Sequence, residues 1–152
     1  MSTEAPDFAE YHARFEQLPN GAKAGRRRAA EPDDLRALPG LYPLLPGGRP
    51  SNQETQLAFF LPWCPELNSS TGFMTLCADS ISEERIMQIA RANPPDDLIA
   101  LRRLVMQLHP AVGWLDLAPL LWYWGSKKTG SSKRRLVEGY YIALHKIDQG
   151  DK

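Results

Sequence analysis

The sequence predicts an all-α protein, a compact helical bundle of about eight to nine helices. Apolar residues recur three and four positions apart, and no stretch alternates convincingly with the period of two that a half-buried strand needs. With 43% hydrophobic residues, the 152-residue chain can build one core. Prolines and glycines fall mostly between the periodic segments. We therefore expect one all-helical domain over 1–152, possibly divided into an N-terminal lobe of about 1–80 and a C-terminal lobe of about 81–152.

The predicted helices follow the apolar periodicity and the helix-start residues. In chain order they span 7–18, 22–29, 32–38, 51–63, 72–78, 82–92, 96–109, 115–124 and 132–147. Ser82 precedes two glutamates, the segment 93–97 ends one helix and places two aspartates in the first turn of the next, and Ser131 or Ser132 can cap the last helix. Pro62 and Pro119 lie near or inside two of these segments, and 46–50 and 125–131 are predicted loops.

Helical spacing also predicts which way the basic side chains point. At about 100° per residue, Arg103 projects nearly opposite the apolar stripe of helix 96–109, and Arg102 lies at the edge of that stripe. That stripe consists of Leu98, Leu101, Leu104, Val105 and Leu108. In the last helix, Leu136, Tyr140, Leu144 and Ile147 face inward, with Arg135 and Lys146 on the far face. We interpret these cations as available to a partner.

The sequence offers no catalytic or metal-binding constellation. Cys64 and Cys77 are the only cysteines, which favours buried free thiols over a disulfide framework or a zinc site. The three histidines have no metal-ligand spacing. Each acidic pair falls in the first turn of a predicted helix, where the helix dipole accounts for it. We expect no cofactor, no metal and no enzymatic activity.

The sequence does not predict a membrane partner. The first eight residues are acidic and polar, unlike a secretory signal, and no apolar run approaches the roughly 20 residues of a membrane-spanning helix. We expect a cytoplasmic protein.

A formal net charge of zero conceals two basic regions. Residues 20–30 carry four bases and no acid, and residues 117–147 carry six bases against Glu138 alone. Cations at helical spacing with little competing acid are typical of phosphate binding. Solvated helix faces explain each region about as well, and the aromatic cluster around residues 114–124 indicates packed core more than base stacking. No motif for reading base sequence is present.

Several short motifs fall into two blocks along the chain. The first block contains Asn20-Gly21, Arg27-Arg28, Glu31-Pro32-Asp33-Asp34-Leu35-Arg36 and Tyr42. The second contains Glu84-Arg85-Ile86, Arg91, Leu101-Arg102-Arg103-Leu104, Trp114, Trp122-Tyr123-Trp124-Gly125 and Lys127. In order and spacing these blocks resemble the CasB family, the small subunit of the type I-E CRISPR Cascade complex, over about two-thirds of the chain. The segment 47–79 departs from the family pattern and carries Arg49 as its only base.

The resemblance implies a non-catalytic subunit present in two copies in Cascade. It implies contacts with the backbone, large and other subunits, with the guide crRNA, and with target DNA and the displaced non-target strand, so that the R-loop is stabilised. Arg27, Arg28, Arg102 and Arg103 match the family's paired arginines and are the first candidates for phosphate contacts. Arg91, Lys127 and Lys128 come next, whereas Arg134 and Arg135 are candidates from local charge. The alternatives are a helical protein–protein adaptor with basic faces and a small helical hydrolase.

Overall fold

A computed structural model describes residues 6–45, 47, 49–124 and 132–150. Their α-helices are α1 (Phe8–Glu16), α2 (Asn20–Arg27), α3 (Asn52–Phe60), α4 (Phe73–Ser80), α5 (Glu83–Arg91), α6 (Asp96–Leu108), α7 (Trp114–Trp122) and α8 (Ser132–Asp148). Shorter 3₁₀ helices cover Pro32–Ala37, Pro39–Leu44 and Leu61–Trp63. The described residues form no strand, and the all-α prediction is confirmed.

The differences from the predicted helices occur at prolines. The helix predicted over 32–38 is a 3₁₀ helix, and a second one over Pro39–Leu44 was not predicted from the sequence. The helix predicted over 51–63 ends as an α-helix at Phe60 and tightens to 3₁₀ across Pro62. Proline lacks the backbone N–H group that donates a hydrogen bond in an α-helix. Short 3₁₀ helices therefore take the place of α-helix at these prolines.

The structure describes how two of the predicted helices begin. Ser82 caps α5, because its side chain accepts a hydrogen bond from the backbone N–H of Arg85 at 3.3 Å. Ser132 is the first residue of α8 and is buried, whereas Ser131 lies outside the described residues. The predicted loops at 46–50 and 125–131 also fall wholly or partly on residues that the structure does not describe.

One hydrophobic cluster runs through both halves of the chain. It includes the whole predicted stripe of α6 and the fully buried Trp114, whose indole Nε1 donates to the carbonyl of Phe8 at 2.7 Å. α7 packs against α1 and α3, while α8 packs against α4 and α5. In α8, Leu136 and Tyr140 are buried and Leu144 packs against the core from a half-buried position. The division into lobes at residue 80 stays a prediction.

Both cysteine thiols are buried and free. Burial raises the pKa of each thiol to about 12, so neither is a thiolate at neutral pH. None of the helices within the described ranges is long and apolar enough to cross a bilayer.

A close approach of two chain segments requires glycine at position 113. The backbone N–H groups of Trp114 and Leu115 donate to the carbonyls of Glu66 and Leu67 at 2.9 and 3.0 Å. A Cβ on Gly113 would lie 2.7 Å from the backbone nitrogen of Ser69. Only a residue without a side chain permits this approach, which anchors the start of α7.

Gly113→Ala should therefore lower the free energy of unfolding by about 1–3 kcal/mol, because the added methyl group meets backbone rather than a flexible side chain. Urea unfolding measures the effect. Gly25→Ala is the matched control, because Gly25 lies inside α2 and an added Cβ would have no atom within 4 Å. This variant should be more stable than the wild type by up to about 1 kcal/mol, since alanine has the higher helix propensity. A Gly113→Ala variant as stable as the wild type would contradict the steric argument.

Candidate nucleic-acid interface

The chain just after α2 contacts the middle of α6. Arg102 Nη1 donates to the carbonyl oxygen of Ala29 at 2.6 Å, which joins the two elements. Arg27 and Arg28 at the end of α2, and Arg103 in α6, are exposed. The structure therefore brings together the two arginine pairs that lie 75 residues apart in sequence, and Arg27, Arg28 and Arg103 are called the first patch below.

Arg102, at the edge of the apolar stripe, is engaged within the fold. Its guanidinium lies 4.0 Å from the centroid of the Phe59 ring, and its side chain is half-buried. Burial, and after it the charge of Arg103, lowers the pKa of Arg102. The sequence interpretation of Arg102 as available to a partner is thus modified, because this side chain already binds α2 to α6. A phosphate contact at Arg102 stays a prediction from the sequence, whereas this geometry favours a link between α2 and α6, and the two roles predict different salt slopes for Arg102→Ala.

The third arginine of the α2 run is buried. Arg26 donates from Nη2 to the carbonyl oxygen of Gly40 at 2.8 Å and lies 5.7 Å from the centroid of the Phe15 ring. Burial lowers the pKa of Arg26 to about 10, so it remains charged at neutral pH. Arg26 secures the inner face of α2, and the helix consequently turns Arg27 and Arg28 outward.

An aromatic pair extends the first patch. The guanidinium of Arg27 lies 5.9 Å from the centroid of the Trp63 ring. Trp63 is half-buried and meets His109, just after α6, edge-to-face at 6.0 Å. Part of the Trp63 surface packs on the core, while the rest borders an exposed arginine.

A second patch forms where α5 ends and α8 begins. Lys133 Nζ donates to the carbonyl oxygen of Ala92 at 2.6 Å, so Arg91 lies near the start of α8. Arg91, Arg134 and Arg135 are exposed and are called the second patch below. The guanidinium of Arg135 lies 6.0 Å from the centroid of the Tyr123 ring. Lys127 and Lys128 lie outside the described residues, so their candidacy stays a prediction.

A buried carboxylate fixes the second patch. Asp97 is only 1% exposed; its Oδ2 accepts from Trp124 Nε1 at 2.9 Å and pairs with Lys133 Nζ at 3.0 Å. One side chain thus joins the start of α6, the end of α7 and the start of α8. From the sequence pattern, the helix dipole alone accounts for Asp97. The missed signal was its spacing, four residues before Leu101 and seven before Leu104, which places it on the apolar stripe.

The motif at residues 31–36 forms hydrogen bonds within the fold rather than a surface for a partner. Asp34 Oδ2 accepts from the backbone N–H groups of Ala30 and Glu31 at 3.1 and 3.2 Å. Arg36 donates to Asp33, to the carbonyl of Pro50 and to Asn52 at 2.7–2.8 Å. These hydrogen bonds order the turn that follows Arg27 and Arg28. They also engage the guanidinium group of Arg36 within the fold.

An open groove of about 640 Å³ adjoins both patches. Its lining includes Glu31, two residues after Ala29 beside the first patch, and Pro94, two residues after Ala92 beside the second. Glu31 and Asp33 are its charged lining residues. Cationic contacts are therefore concentrated in the two patches rather than in the groove between them. Among the described residues, no group of three His, Cys, Asp or Glu side chains could hold a metal ion.

Comparisons with known proteins match this chain over nearly its whole length. The family model described as CRISPR-associated protein Cse2 matches residues 3–141. The CRISPR system Cascade subunit CasB of Escherichia coli (strain K12) is 29% identical over 96% of this chain and 99% of the relative. A crystal structure of E. coli Cascade bound to a PAM-containing dsDNA target contains a similar chain, with 27% identity, a TM-score of 0.75, and coverage of 94% of this chain and 99% of that one. The chain therefore belongs to the CRISPR-associated Cse2 family.

Proposed function

We propose that this protein is the small, non-catalytic subunit of a type I-E Cascade complex and that it holds nucleic-acid backbone without reading its sequence. The observation that carries the proposal is a set of exposed arginines in two patches that adjoin one groove. The guanidinium groups of Arg28, Arg91, Arg103 and Arg134 form no ion pair or hydrogen bond with any other described residue. Cations left unneutralised by the fold are available to phosphate.

Backbone contacts suffice because base pairing supplies the specificity. In a guide-directed complex the sequence is read by pairing between guide RNA and target strand, and protein side chains hold the duplex and the displaced strand through phosphates. We infer that the two patches hold the displaced non-target strand and the guide–target duplex, and so slow collapse of the R-loop. The similarity to a chain of a dsDNA-bound Cascade supports this assignment.

The absence of catalysis is part of the same proposal. Asp34 and Asp97, each a member of an acidic pair, are engaged in backbone and ion-pair contacts that hold the fold. Purified protein incubated with Mg²⁺ or Mn²⁺ should leave DNA and RNA intact. Reproducible cleavage that one carboxylate substitution abolishes would overturn this part of the proposal.

R-loop lifetime tests the proposed function directly. Type I-E Cascade assembled with this chain is bound to a matched dsDNA target, and R-loop collapse is followed after a competitor is added. Replacing the three arginines of either patch by alanine should shorten the lifetime toward that of a complex lacking the subunit, without loss of the subunit from the complex. Gly25→Ala, which removes no charge, is the control.

Two outcomes would contradict the proposal. Unchanged R-loop lifetimes for both patch variants, in fully assembled complexes, would show that the arginines hold no strand. Loss of the subunit from Cascade as the sole effect would instead support the protein–protein adaptor.

A further inference from the structure

Among the exposed arginines that the structure describes, Arg27 and Arg135 each hold the guanidinium group over an aromatic ring. Arg27 lies over Trp63 at 5.9 Å in the first patch, and Arg135 lies over Tyr123 at 6.0 Å in the second. Among the described residues, no such ring contact involves Arg28, Arg103, Arg91 or Arg134. The two patches thus share a feature that phosphate binding alone does not require, since a phosphate needs only a donor and a charge.

The ring behind Arg27 is fixed in place. Trp63 ends the 3₁₀ helix Leu61–Trp63, packs partly against the core and meets His109 edge-to-face at an interplanar angle of 84°. A guanidinium held against a fixed ring loses less conformational freedom when a ligand binds its outer side. Its planar, weakly hydrated outer surface suits a flat aromatic ligand as well as a phosphate.

We propose that Arg27 is a stacking site for an unpaired nucleobase, with Trp63 as its backing, and that Arg135 on Tyr123 repeats this arrangement in the second patch. Single-stranded bases stack readily on guanidinium planes, whereas the bases of a duplex already stack on one another. This inference rests on the proposed function and adds a ligand class to it. It makes the protein favour a single strand that carries bases over an equally charged strand without them, with no preference for base sequence.

An abasic oligonucleotide separates stacking from charge. The full-length protein is titrated, at low salt, into a fluorescein-labelled oligothymidylate and into an equally long oligomer of abasic sites, and binding is followed by fluorescence anisotropy. The wild type should bind the base-bearing strand roughly fivefold more tightly, or better. Arg27→Lys, which keeps the charge and removes the planar group, should reduce that ratio by at least half and leave the salt dependence unchanged.

Arg28→Lys is the matched control, because Arg28 is adjacent and exposed and has no ring contact with any residue that the structure describes. This variant should retain the wild-type ratio of the two affinities. Equal affinity of the wild type for the two oligomers, with normal salt dependence, would overturn the stacking site while leaving the proposed function intact. An equal fall of the ratio in Arg28→Lys would overturn its assignment to Arg27. Failure of both oligomers to bind at any salt concentration would contradict the proposed function itself.

Discussion

Asp97→Ala is expected to lower the free energy of unfolding by about 3–5 kcal/mol. Removing this carboxylate takes the Asp97 ion pair away from the half-buried Lys133 and the acceptor away from the indole N–H of Trp124. Breaking a buried pair from one side is costly because the remaining polar groups lose the partner that replaced water. Urea denaturation followed by circular dichroism measures the change.

Asp96→Ala provides the comparison, since Asp96 is exposed in the same first turn of α6. Losing a helix-dipole contact there should cost no more than about 1 kcal/mol. If Asp97→Ala and Asp96→Ala were equally stable, the Asp97 network would not hold α6, α7 and α8 together. The original interpretation of both aspartates as helix-dipole residues would then be sufficient.

Simultaneous replacement of Arg27, Arg28 and Arg103 by alanine is expected to weaken single-stranded DNA binding on the order of 100-fold at about 0.1 M salt. Each phosphate contact to a single strand contributes about 0.7 to the slope of log affinity against log salt. That slope corresponds to roughly fivefold in affinity per contact at this salt concentration. The slope itself should fall by about 2, as measured by fluorescence anisotropy across a salt series. Stability should change little, because all three side chains are exposed.

Arg102→Ala is the internal control for this measurement, since it removes an arginine adjacent to Arg103 that faces α2 and Phe59. It should cost about 2 kcal/mol of stability through the lost bond to Ala29 and the lost ring contact. At temperatures where the variant is folded, its salt slope should stay near that of the wild type. A stable Arg102→Ala variant with a reduced slope would make Arg102 a phosphate contact rather than a link between α2 and α6.

Much of the fold could be predicted because helical periodicity is a local property of the chain. The α6 stripe is buried as its three- and four-residue spacing predicted, and Arg103 projects outward from the opposite face. The bounds of α5, α6 and α8 lie within about two residues of the predicted ones. Proline-rich stretches were less predictable, since a 3₁₀ helix such as Pro39–Leu44 is too short to show a period.

The sequence by itself determined the helical class, the apolar faces and the presence of cations that no neighbouring acid in the chain neutralises. Only the tertiary structure decided which arginines remain exposed: Arg26 is buried and Arg102 is half-buried against Phe59, whereas Arg27, Arg28 and Arg103 stay outside. The same holds for the pairing of Asp97 with Lys133, which are 36 residues apart. Periodicity fixes the face on which a side chain lies, but the partner that covers that face comes from a distant part of the chain, and its identity depends on long-range packing.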